Sequence, residues 1–377
     1  MYKSNNAKLL SFILYLLLVG TAAVYTYKKP YYNWDMLAYM AAVIAIDNSN
    51  CQYIHTMVYK NAEEQVPVKA YQQLTDTSHR FKKTVTHTPQ TFCQVLPFVF
   101  AKPLYVAASY LFFKCGVPIV HATIIPSTLS YLLICLLIYF WLSKYLKPLL
   151  HIVTAMLMAI SSPLIATAKL STPDCMSALF ILIGLFFLIE KRKTTLAFIF
   201  LVLSVFTRID NIIFCVIIFT SLRLIRDISI KQFIGYLAIA CCAYFSIALL
   251  ANSYGSGLFL SPVVISSQKT ILENVNSGFS FKEYLLARHS AVMVSLLYHQ
   301  LFIYLLFALA LFIGNIPKSI KALTLEQLVT IAIILTIGIR LMLNPDLDDR
   351  FHVAYYFTFV ILAIRHIAIL LHKRTIS

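Results

Sequence analysis

The sequence predicts an all-α protein that crosses a membrane many times, and three observations predict it. Hydrophobic residues fill 60% of the 377 positions and charged residues only 12%, about half the charged share of an average soluble domain. The apolar residues gather in runs near the ~20 residues of helix that cross about 30 Å of hydrocarbon. The loops between the runs alternate in charge, one set basic and the other holding nearly all the acids. A water-soluble fold is excluded, as the mean hydropathy of +0.80 also requires. The net charge of +16 lies in short clusters with no continuous basic tract and no interleaved aromatics, so membrane orientation accounts for it and nucleic-acid binding does not.

Ten runs fit a span: 9–27, 119–142, 150–166, 175–189, 196–206, 211–224, 233–251, 291–313, 323–343 and 352–371. The first follows Lys3 and Lys8 as a signal peptide would, but Lys28-Lys29 ends it in place of a small-x-small cleavage site, so it is expected to stay as a span. The fifth and sixth are short. A single helix through 196–220 would bury Arg208 and Asp210 in lipid at a cost of several kcal/mol, so two short helices meeting at a polar turn are expected.

With the N-terminus in the cytoplasm, the loops near 144–147, 190–193, 223–231 and 318–321 and the C-terminal tail are cytoplasmic. Together with Lys3, Lys8 and Arg365 they hold 15 of the 31 Lys and Arg residues, against only Glu190, Asp227 and Glu326. The other 12 of the 15 acids then fall outside, in 28–118, 168–174, 207–210, 252–290 and 344–351. Reading 97–113 as a span would invert every later loop, so it is expected to be an interfacial or re-entrant helix, with 36–46 as a second one in the same loop. Residues 47–94, polar and without low complexity, are expected to form a small ordered cap. The whole chain reads as one integral membrane domain, divided into the long loop 28–118, a core 119–252 and C-terminal helices 253–377.

The eight cysteines contain no CxxC pair and no spacing to histidine that zinc requires. Cys135, Cys215, Cys241 and Cys242 lie in apolar runs as small hydrophobes. Cys51, Cys93 and Cys115 fall outside the cytoplasm, where a disulfide is chemically allowed, but their odd number gives a Cys51–Cys93 bridge little support.

Chemistry concentrates in four places. Asp35, in Tyr31-Tyr32-Asn33-Trp34-Asp35, either caps the helix that follows or serves as a base at the membrane surface. Lys169 and Asp174 share a very short loop, 169–174, where Asp174 either caps the next helix or works. Arg208 and Asp210 sit at the expected helix break, as a neutralising internal pair or a functional one. In 344–352 the three acids Asp346, Asp348 and Asp349 read as a solvated turn rather than a metal site. Arg350 stands at the membrane edge, where its guanidinium fork suits a phosphate, and His352 follows it.

These residues, with Lys102 in Lys102-Pro103-Leu104-Tyr105, resemble a GT-C type integral membrane glycosyltransferase of the protein mannosyltransferase-like group over nearly the whole chain. The resemblance implies a GT-C-like fold with two interfacial helices in the first outer loop. It implies Asp35 as general base, Arg350, Arg208, Lys169, His352 and Lys102 around the donor phosphate, and Asp174 and Asp210 as second-loop acids, Asp174 with an optional divalent metal. The expected activity is transfer of one sugar, with inversion, from a polyprenyl-phosphate donor to a glycan or lipid acceptor outside a bacterial cytoplasmic membrane, with both termini cytoplasmic. Met36 follows Asp35 where the protein mannosyltransferases often carry an acid, which turns the reading away from protein acceptors. A lipid-linked sugar flippase and a glycan polymerase are the competing readings.

Overall fold

A computed structural model describes residues 2–76, 78, 80–253, 281–312, 322–344 and 347–374. Asp346, the 318–321 loop and most of the 252–290 loop lie outside them. The described residues are helical, with one isolated parallel bridge between Tyr31 and Leu170 as their only β pairing. Helix α1 (Tyr2–Lys28) leads into a helical insert: α2 (Trp34–Ala45), α3 (Cys51–Gln65), α4 (Val68–Leu74), α5 (Arg80–His87), α6 (Pro89–Cys93), α7 (Leu96–Phe100) and α8 (Pro103–Lys114). The bundle continues through α9 (Ile119–Leu142), α10 (Pro148–Ala159), α11 (Ser162–Ala168), α12 (Asp174–Glu190), α13 (Thr194–Thr207), α14 (Ile212–Leu224) and α15 (Ile230–Asn252). It ends with α16 (Phe281–Tyr298), α17 (Leu301–Ala310), α18 (Leu325–Leu343) and α19 (Val353–Arg374).

Among the described residues five helices are long and apolar enough to cross a membrane, or up to eight segments if each bent pair is one span. The protein is therefore a multi-pass membrane protein, and leucines, isoleucines and phenylalanines are exposed along these helices. Two expected spans are broken. The 150–166 run bends by 50° between α10 and α11, where Pro163 sits in the first turn of α11 and cannot donate to the preceding turn. The 291–313 run is two helices: α16 starts ten residues earlier, at Phe281, and meets α17 at 82°. The 97–113 stretch is also not one helix. Pro89–Phe100 and Pro103–Lys114 meet at 110°, with Pro103 opening α8.

The helix expected at 36–46 is α2, and it is enclosed by protein. Every residue of α2 from Met36 to Ala45 is buried, because α3, α7, α8 and α9 pack round it. A helix apolar on all sides needs partners on all sides, and the insert supplies them as a second hydrophobic core. The described residues of 47–94, where a small ordered cap is expected, hold the helices α3 to α6. The Cys51–Cys93 disulfide, little supported by the odd cysteine count, is present with a Cα–Cα distance of 5.9 Å, joining the start of α3 to the end of α6.

Polar side chains fix the two ends of the bundle. At one end Glu190 accepts from Trp141 Nε1 at 2.9 Å, Lys144 Nζ at 3.1 Å and Tyr145 OH, and Arg365 pairs with Glu326. At the other end the backbone N–H of Tyr31 donates to Lys169 O at 2.9 Å. That bridge lays the chain after α1 beside the loop before α12. The same end receives the α13–α14 turn and the 3₁₀ turn Asp349–Phe351.

Candidate functional site

The α13–α14 turn is the hub. Arg208 leaves the helix in an extended conformation, which aims its guanidinium at two carboxylates. It holds Asp210 bidentately, Nε to Oδ1 and Nη2 to Oδ2, both at 3.1 Å, and donates from Nη1 to Asp174 Oδ1. Arg340, from inside α18, reaches Asp210 Oδ2 at 3.1 Å and donates to Asn211 Oδ1. Asn211 donates in turn to Ser177 Oγ at 2.7 Å and Ser204 O at 2.8 Å. Four helices, α12, α13, α14 and α18, are thereby tied at one point. Burial alone would raise the Asp210 carboxyl, but the Arg208 and Arg340 charges outweigh it and hold it well below the usual carboxylate range.

Asp174 is placed by the short loop before it. Ser127 Oγ donates to Thr172 O at 2.9 Å, Thr123 Oγ1 to Ser171 Oγ at 3.1 Å, and Tyr105 OH to Thr123 O at 2.5 Å. Asp174 occupies the first turn of α12 behind Pro173, which holds the capping position, so its carboxylate serves Arg208 and does not cap. No group of three His, Cys, Asp or Glu side chains suited to a metal exists among the described residues. A cation at Asp174 would have to displace Arg208, which bridges that carboxylate to Asp210.

Asp35 escapes its capping role too. Asn33 is the cap of α2, accepting from Met36 N, while its Nδ2 donates to Asp35 Oδ2 at 2.9 Å. Arg350 Nη1 reaches the same oxygen at 3.1 Å, and Arg350 Nε lies 3.4 Å from Asp348. The exposures of the partners differ in a way that matters. Asp35 and Asp348 side chains are 41% and 43% exposed and that of Asp210 32%, against only 3% for Asp174. Phe351 lies against both guanidinium carbons, 4.3 Å from that of Arg208 and 4.7 Å from that of Arg350. A cavity of about 10 Å³, room for one water, is lined by Asp174, Ser177, Arg208, Arg340, Arg350 and Phe351 among others.

Lys102, at the α7–α8 bend, donates to Phe98 O at 2.7 Å. Burial and the Arg208 charge pull its ammonium below the usual lysine value, against Asp35, Asp174 and Asp210, whose field it shares.

The remaining expectations land elsewhere. His352 is buried, and neither ring nitrogen has a hydrogen-bond partner among the described residues. It lies beneath the arginine cluster's turn at the start of α19 and reaches no carboxylate there. Asp349 accepts from Gln300 N at 2.9 Å and Tyr356 OH at 2.7 Å, which clamps the α16–α17 break. Lys169 is set apart, its ammonium over the rings of Tyr31 and Tyr25 at 3.8 and 5.0 Å.

Arg340 and Asn33 were not singled out from the sequence. An arginine inside the 323–343 apolar run was the available signal for the first; nothing distinguishes Asn33 from an ordinary cap. No protein-family model, curated protein or solved structure matches the chain.

Proposed function

We propose that the chain is a GT-C type glycosyltransferase that moves one monosaccharide, with inversion, from a polyprenyl-phosphate donor to a glycan or lipid hydroxyl at the non-cytoplasmic face of a bacterial inner membrane. The observation that carries this reading is Asp35: an accessible carboxylate, oriented by Asn33 and Arg350, at the rim of a buried cluster of cations. A base beside preorganised positive charge is what attack on a sugar phosphate needs.

The basic loops support cytoplasmic termini, and a disulfide in the insert suits the oxidising side of a membrane. Ten spans follow if α10–α11 and α16–α17 each count as one, α12, α13 and α14 cross as short helices, and α6–α8 re-enters.

In this reading the donor phosphate takes Arg350 from Asp35 and Asp348, its exposed partners; Arg208, tied to buried Asp174, and Arg340, tied to buried Asn211, stay in place and lend their field, with Lys102. Released, Asp35 accepts the proton of the acceptor hydroxyl as that oxygen bonds to the anomeric carbon. The bond from that carbon to the phosphate oxygen breaks, and the electron pair leaves on polyprenyl phosphate. The proton on Asp35 then passes to water. Charge grows on the leaving phosphate, so the cations favour the transition state over the bound donor. Buried His352 and Lys169, held on Tyr25 and Tyr31, are left out of the phosphate set. A divalent metal, if one acts, enters only where Arg208 yields Asp174.

The test uses membranes with native protein or Asp35→Asn at equal levels, given polyprenyl-phosphate hexose labelled in the sugar. Label moves to a membrane glycan or lipid with the native protein and not with Asp35→Asn; equal transfer by both would remove Asp35 from the chemistry.

A further inference from the structure

We propose that the cleft between α1 and the α10–α11 bend binds one anionic glycerophospholipid of the surrounding bilayer, with its phosphate on Lys169. The cleft has a volume of about 600 Å³ and is lined by Leu17, Leu18, Thr21, Ala22 and Tyr25 of α1 and by Ile160 and Ile165 across from them. Its shape follows from two local features. Thr21 and Ala22 are small, so α1 is hollowed between Leu17 and Tyr25. Pro163 turns α11 away from α10 by 50°, which parts Ile160 from Ile165.

An apolar cleft alone says little in a membrane; the cation at its end says more. Lys169 stands one helical turn beyond Ile165, whose carbonyl accepts from the Lys169 N–H at 3.2 Å, so both side chains leave the same face of the chain. The Lys169 ammonium lies 5.0 Å over Tyr25, itself a wall of the cleft, and 3.8 Å over Tyr31. Lys169 is only 6% exposed, yet among the described residues no carboxylate pairs with it. A nearly buried ammonium resting on two aromatic faces has its attraction to an anion unspent.

The geometry selects the occupant. From Leu17 to Tyr25 the cleft runs about 12 Å along α1, near the ~15 Å depth of one leaflet's hydrocarbon. A single lysine is a point charge that matches a monoanionic phosphodiester. The arginine forks of the main cluster suit the donor phosphate better, and Lys169 takes no part in that cluster. Retention of such a lipid needs no sugar transfer, so this proposal stands or falls apart from the enzymatic one.

The test is native mass spectrometry of the full chain released from nanodiscs of phosphatidylcholine containing a minority of phosphatidylglycerol. The native protein retains one phosphatidylglycerol in preference. Lys169→Gln lowers that retention about fivefold, the worth of one basic residue at an anionic surface. Ala22→Phe, which fills the cleft and keeps the lysine, lowers it as well. Retention unchanged in either variant would overturn the site. Displacement of the retained lipid by polyprenyl phosphate from native protein, but not from Lys169→Gln, would assign the cleft to the donor and overturn the choice of occupant.

Discussion

In the proposed transfer the Asp35–Arg350 pair, 3.1 Å apart at rest, has to part, because the carboxylate and the incoming phosphate would compete for one guanidinium. Asp35→Asn should therefore insert normally and transfer nothing, yet bind polyprenyl phosphate several-fold more tightly than the native chain; titration of both in detergent checks this, and weaker binding by the variant would contradict it.

At the scale of elements, what the sequence reveals depends on whether the cause is local. The 119–142 run is α9 to the residue, and the break at 207–210 is where charge forbids a lipid-buried helix. Both follow from composition along the chain. The bend at Pro163 is local to its proline, whereas the α16–α17 break held by Asp349 and the burial of α2 on every side come from partners distant in sequence. So does Arg340, whose function as a tie to Asp210 depends on α18 lying against the α13–α14 turn. Of the candidate site, Asp35, Asp174, Arg208, Asp210, Arg350 and Lys102 were legible as polar residues at span ends; their meeting was not, because pairing across helices leaves no periodic trace. The Cys51–Cys93 bridge closes a separation of 42 residues, for which loop-closure entropy suggests a stabilisation of roughly 2–4 kcal/mol. Cys51→Ser should lower the melting temperature and speed proteolysis of the α3–α6 cap, and reductant should do the same to the native protein and nothing further to the variant.

For the whole molecule, the two ends of the bundle differ in kind. One sets Glu190 and Glu326 against lysine and arginine; the other brings Asp35, Asp174, Asp210 and three arginines together from five separate elements of the chain. That asymmetry is the ground for reading the molecule as an enzyme working at one membrane face. The most direct measurement is mass spectrometry of envelope glycans and glycolipids from cells lacking the protein, complemented with native chain or with Asp35→Asn at matched membrane levels. The account predicts that one hexose-sized unit disappears on deletion, returns with the native chain and stays missing with Asp35→Asn. Equal restoration by both, or no mass change on deletion, would contradict it.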